Sequence, residues 1–141
     1  MTVARDDRIT PLKNDHKEIA RQLDILRKAM AQSPRPSSRE LGRAARRLAS
    51  LIQRHLENEE STVYKPLSLT MGRHSPTDMM AREHRSIRQG LARLASALGE
   101  QEVNDARIEE SRSRLASLQE QISAHMETEE KVLFWLADLK L

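Results

Sequence analysis

The chain has 141 residues, 38% hydrophobic and 32% charged, which is the size of one domain built on one core. Aromatic residues make up 2%, too few for a strand-rich sandwich or for base-stacking surfaces, and cysteine is absent, which excludes disulfides, thiolate metal sites and thiol nucleophiles. The net charge of +3 comes from 24 basic and 21 acidic residues, a mixed surface rather than a basic tail, so no nucleic-acid partner is expected.

Four helices are predicted in chain order. The first opens at Thr10, with Pro11 at the first helical position, and runs to about Ala31 before the breaker SPRPSS. The second opens at Ser37, whose hydroxyl can cap while Glu40 reaches back, and is expected to end or kink at Pro66, with LSLTMGRH as the connection. The third opens at Ser75 and Pro76, with Asp78 in the reciprocal position, and closes near Gly99. The fourth runs from near Asn104 to about Asp138. The longest apolar run is Val132 to Ala137, far below a membrane span, and the N-terminus has no signal-like apolar stretch. A cytoplasmic protein without membrane contact is expected.

Periodicity gives each helix an inner face. The first carries Leu12, His16, Ile19, Leu23, Leu26 and Met30; the second Leu41, Leu48, Leu51, Ile52, His55, Glu59 and Val63. The third carries Met80, His84, Ile87, Leu91, Leu94 and Leu98; the fourth Leu115, Leu118, Ile122, His125, Glu129, Val132 and Leu136. The fold class is all-α. Four amphipathic helices with short connections predict an antiparallel, up-down-up-down bundle spanning about 10–139 within a single domain, 1–141.

The bundle is a repeat, about 10–69 against 75–139. NDHKEI matches REHRSI, and RHLENEESTVYKPL matches AHMETEEKVLFWLADL, so each half gives one His from its first helix and His-x-x-x-Glu-Glu from its second. Residues four apart share a helix face, so His55 with Glu59 and His125 with Glu129 each present a nitrogen beside an oxygen. A rise of about 1.5 Å per residue places His16, the His55 pair, His84 and the His125 pair at roughly 9, 13, 13 and 17 Å from one bundle end. Two buried carboxylates with no Lys or Arg on their stripes in the flanking turns need positive charge; a metal pair supplies it, the alternative being a purely structural polar seam. The metal-ligand candidates are His16, His55, Glu59, His84, His125 and Glu129.

This pattern, His, then H-x-x-x-E-E, then His, then H-x-x-x-E-E, resembles the hemerythrin-like (HHE cation-binding) domain family from about Thr10 to Leu139. The apolar tails VYKPL and VLFWL are similar to that family's endings. The resemblance implies a hemerythrin-like four-helix bundle around two non-haem Fe ions, with an oxo or hydroxo bridge, and with Glu59 and Glu129 as bridging carboxylates. Ferritin-like proteins use the reverse order, Glu-x-x-His, which does not occur here. Oxygen-carrying hemerythrins have a fifth histidine one turn along the third helix, where His84 here has the neighbours Met80 and Arg88. Four His and two bridging Glu, with a bridging solvent, then leave one open position on each ion.

The implied function is sensing or handling oxygen, peroxide or nitric oxide. Catalytic residues are unknown, and any peroxide- or nitric-oxide-related turnover rests on the resemblance alone. A different class of reading is a protein-interaction module, with Arg35, Arg39, Arg43, Arg46, Arg47 and Arg54 as its docking face and the metal structural or reporting iron. His74 reads as an exposed loop residue. Glu60 and Glu130 read as solvated or placed behind the ligands, Tyr64 as half a turn off the site stripe and without redox role, and Phe134 and Trp135 as packing the bundle end.

Overall fold

The computed structural model describes residues 7–99 and 102–141, which contain helices and no strand. Helix α1 (Thr10–Ala31) has Pro11 in its first turn. Its first N–H groups are held not by Thr10, which lies inside the helix, but by Asp7, whose Oδ1 accepts from Ile9 N at 3.2 Å and Thr10 N at 2.9 Å. Helix α2 (Ser38–Glu59) is capped by Ser37, whose Oγ accepts from Glu40 N at 3.2 Å, the half of the expected box that Ser37 supplies.

The chain does not break at Pro66. A π turn over Glu60–Tyr64 follows α2 and runs directly into α3 (Lys65–Met71). The Lys65 N–H reaches back five residues to the Glu60 carbonyl, and Pro66 then falls in the first turn of α3, where a missing N–H does least harm. The rod ends at Gly72, whose φ of 57° few other residues adopt. Helix α4 (Thr77–Leu98) begins where Ser75 Oγ accepts from Thr77 N at 3.2 Å, and closes at Gly99, φ 63°. Helix α5 (Asp105–Thr128) is capped by Asn104, leads into a second π turn over Glu129–Leu133, and continues as α6 (Phe134–Lys140).

The long helices form a ring, α1 packing on α2 and α5, and α4 on α2 and α5. Neighbours run in opposite directions. Arg46 in the first half of α2 donates to the Gly99 carbonyl past the end of α4 at 3.1 Å, whereas Gln53 in the second half of α2 accepts from Arg88 midway along α4 at 2.8 Å. Gln121 in the last third of α5 donates to Ser86 near the middle of α4 at 2.8 Å.

Two apolar clusters fill the ring. The larger contains Ile19, Leu23, Ile52, Leu56, Ile87, Leu91, Leu115 and Ile122; the smaller, toward one end, contains Ile9, Leu12, Val63, Tyr64, Met80, Leu133 and Phe134. Between them on every rod lies a His or a His/Glu pair: His16 between Leu12 and Ile19, His84 between Met80 and Ile87. The polar layer is sealed from both sides.

The inner stripes hold except at Leu51 and from the second π turn onward. Val132, expected inside, is 43% exposed and Leu136 half-buried, while Leu133 and Phe134 take the interior. An extra residue in the turn advances the buried register by one. Trp135, expected to pack the bundle end, is 60% exposed for the same reason. Leu51 is half-buried and Leu56 occupies the core instead. No described helix is long and apolar enough to cross a membrane.

Candidate metal centre

All six candidate residues meet in the polar layer, and each is buried. Glu59 Oε2 lies 3.2 Å from His16 Nε2 and 3.1 Å from His55 Nε2, and its Oε1 lies 3.2 Å from His84 Nε2. Glu129 mirrors it, with Oε2 3.2 Å from His125 Nε2 and 3.5 Å from His84 Nε2, and Oε1 3.1 Å from His16 Nε2. Each carboxylate therefore reaches from one His pair to the other. Two overlapping groups result, His16/His55/Glu59/Glu129 and Glu59/His84/His125/Glu129, in each of which the ligand atoms lie within 4.8 Å of one another.

The donor chemistry fits metal ions. His55 Nε2, Glu59 Oε1 and Glu129 Oε1 are buried with no hydrogen-bond partner, although each has an atom of the opposite kind within 3.2 Å. A buried polar atom without a partner is costly. Donors at right angles, each about 2.1 Å from one ion, are themselves about 3 Å apart, which is the spacing seen here.

Every imidazole turns Nε2 inward because a carboxylate holds its Nδ1. Asp15 Oδ2 lies 2.9 Å from His55 Nδ1, and Glu83 Oε1 3.2 Å from His125 Nδ1. Glu60 Oε2 lies 2.8 Å from His84 Nδ1, and Glu130 Oε2 3.1 Å from His16 Nδ1. Glu60 and Glu130 thus stand behind the histidines, while Asp15 and Glu83 were not singled out from the sequence. The signal was there: an acidic residue precedes the first-helix histidine in both halves, NDH and REH. Such partners fix the tautomer and the ring plane.

Tyr64 is in the centre, contrary to the half-turn offset expected of it. The π turn carries it round until its hydroxyl donates to Glu129 Oε2 at 2.5 Å and sits 2.8 Å from His84 Nε2. Its counterpart, Phe134, stacks on His16 with ring centroids 5.4 Å apart. His74 is exposed in a 3-10 turn, as expected, and belongs to neither donor group.

The electrostatics are those of charge sharing. Burial pulls the His16 imidazole down, but the Glu129 and Glu59 carboxylates outweigh it and lift it to about 10. His84 is likewise lifted to about 9 against burial by Glu129, Glu59 and Glu60. Burial pushes Glu59 and Glu129 up, yet their histidine partners hold both below the ordinary carboxylate range, Glu129 well below. Burial and the facing carboxylates raise the Tyr64 phenol.

The sequence model of the hemerythrin HHE cation-binding domain matches residues 7–137. The chain belongs to that family. A search of curated proteins found no match, and neither did a search of solved structures. As a hemerythrin HHE domain it is a metal-cation-binding bundle, and its six candidate ligands occupy one connected layer. The neighbours of His84 offer no further histidine: Met80 lies in the smaller apolar cluster, and Arg88 forks onto Glu60 with both contacts at 3.0 Å.

Proposed function

We propose that this hemerythrin HHE domain holds two non-haem iron ions and uses them to sense or handle oxygen, peroxide or nitric oxide. The observation that supports it best is the pair of four-residue donor groups sharing Glu59 and Glu129. His16 with His55 would hold one ion, His84 with His125 the other, and the two carboxylates would span both. Bound iron supplies a change of oxidation state and a coordination position for a small molecule. The outer carboxylates Asp15, Glu60, Glu83 and Glu130 keep the imidazole nitrogens aimed, and the apolar residues on both sides keep bulk water out. The test is metal analysis of protein loaded anaerobically with iron, with an optical spectrum before and after reductant. Two irons per chain and a redox-sensitive spectrum are expected; one iron or none overturns the di-iron reading.

A second reading has one observation in its favour. Arg43, Arg46, Arg47 and Arg54 line a single surface cleft with Ser50, a basic face suited to an acidic protein partner, with the metal structural or reporting iron. Retention of such a partner that weakens with salt but survives metal removal would favour it.

A further inference from the structure

The inward donors match between the two halves, His16 with His84, His55 with His125 and Glu59 with Glu129, but the rings stacked on the first-helix histidines do not. Tyr64 stacks on His84 with centroids 4.6 Å apart and an interplanar angle of 24°, and Phe134 stacks on His16 at the same angle. Only one of the two rings carries an oxygen. That oxygen lies 2.8 Å from His84 Nε2, 3.5 Å from His125 Nε2 and 2.5 Å from Glu129 Oε2. It is thus spaced from three inward-facing donor atoms much as they are spaced from one another, the arrangement of atoms around one ion.

We infer that the Tyr64 oxygen is a further metal donor, to the His84/His125 half alone, which makes the two metal positions unequal. The inference rests on the metal-binding reading above. On ligation the O–H bond breaks and the oxygen keeps the electron pair. The proton leaves to the solvent; Tyr64 is 4% exposed and borders a surface cleft with Ser61, Lys65 and Asp78. With Tyr64 counted, the His84/His125 half would offer one more protein donor than the His16/His55 half, where Phe134 stands in its place. The repeat then yields an asymmetric centre through a tyrosine.

Tyr64 is the sole tyrosine in the sequence, so its ionisation can be read without ambiguity. The experiment adds zinc, which is spectroscopically silent, to metal-free protein and records the near-ultraviolet difference spectrum, then loads ferric iron and records the visible spectrum. Zinc should produce the signature of one ionised phenol per chain, and ferric iron a phenolate-to-metal charge-transfer band. Both should be lost in Tyr64→Phe while two metals per chain remain, and Phe134→Tyr should strengthen the band. Metal binding without either signal, or signals that persist in Tyr64→Phe, overturns the inference. A chain that takes zinc with the phenol signature but refuses iron overturns the iron reading and supports this one; a chain that binds neither metal overturns both.

Discussion

Asp15 on α1 aims His55 on α2: its Oδ2 lies 2.9 Å from the imidazole Nδ1, across 40 positions of sequence. Glu83 does the same for His125 in the other half at 3.2 Å. Both carboxylates touch the histidine on the side away from the centre, so removing one leaves every inward donor present but one ring less firmly oriented. Asp15→Asn and Glu83→Gln should each weaken metal binding about 10- to 100-fold. Competition with a chelator of known affinity measures this, with His74→Ala as the variant that changes nothing.

Removing the metal should cost stability, since the layer then holds two carboxylates and four imidazoles between apolar clusters. Metal at about a thousandfold excess over Kd stabilises the fold by about 4 kcal/mol, on the order of 10 °C in Tm for a domain of this size. Replacing Glu59 and Glu129 together with Gln should narrow the gap, because it weakens the metal and relieves buried charge at once. Scanning calorimetry of loaded and chelator-treated protein provides the comparison.

In the metal-free protein the same cluster sets a pH dependence. His16 at about 10 and His84 at about 9 stand above the ordinary 6.5 of the unfolded chain. Their stabilisation is complete below 6.5 and is lost as pH rises through 9 to 10. Glu59 and Glu129 are held below 4.5, so theirs is present above 4.5 and is lost as pH falls through their folded values. Metal must displace the histidine protons, so loaded protein gains where metal-free protein loses. The Tm difference between the two should widen from about pH 6 to about pH 9. A difference that shrinks over that range contradicts this account.

Gly42 on α2 faces the carbonyl of Gly99 so closely that a Cβ there would overlap backbone oxygen rather than a movable side chain. Gly42→Ala should therefore force α2 from the end of α4 and lose about 1–3 kcal/mol, despite the gain in helix propensity. Urea denaturation checks this, and metal content should stay unchanged because the contact lies at the opposite end of α2 from His55 and Glu59.

The six inward donors were legible in the sequence because a constant helical period is enough to put His16, His55, Glu59, His84, His125 and Glu129 on inner faces. Asp15 and Glu83 left only the faint signal of an acidic residue before each first-helix histidine, because each lies about 100° round its helix from that histidine and only the neighbouring helix gives it a partner. Tyr64, Val132 and Trp135 were misplaced for a single reason. Each follows an acidic pair after which the backbone bonds five residues back instead of four, and no residue type in EESTVYK or EEKVLFW announces that change. Pro66 marks the place in one half, but the other half makes the same turn without a proline.

The smaller apolar cluster joins the rest of the interior only across the layer of histidines and carboxylates. Beyond that layer the chain amounts to a cap: the first turn of α1, α3, the start of α4, and α6. Cohesion between cap and body then depends on what bridges the six side chains, since apolar contact does not run through them. Filled, the layer is a rivet and the bundle should open as one unit. Emptied, it becomes a seam, and amide exchange should quicken first in Glu60–Tyr64 and Phe134–Lys140 while the middle of α2 and α4 stays protected.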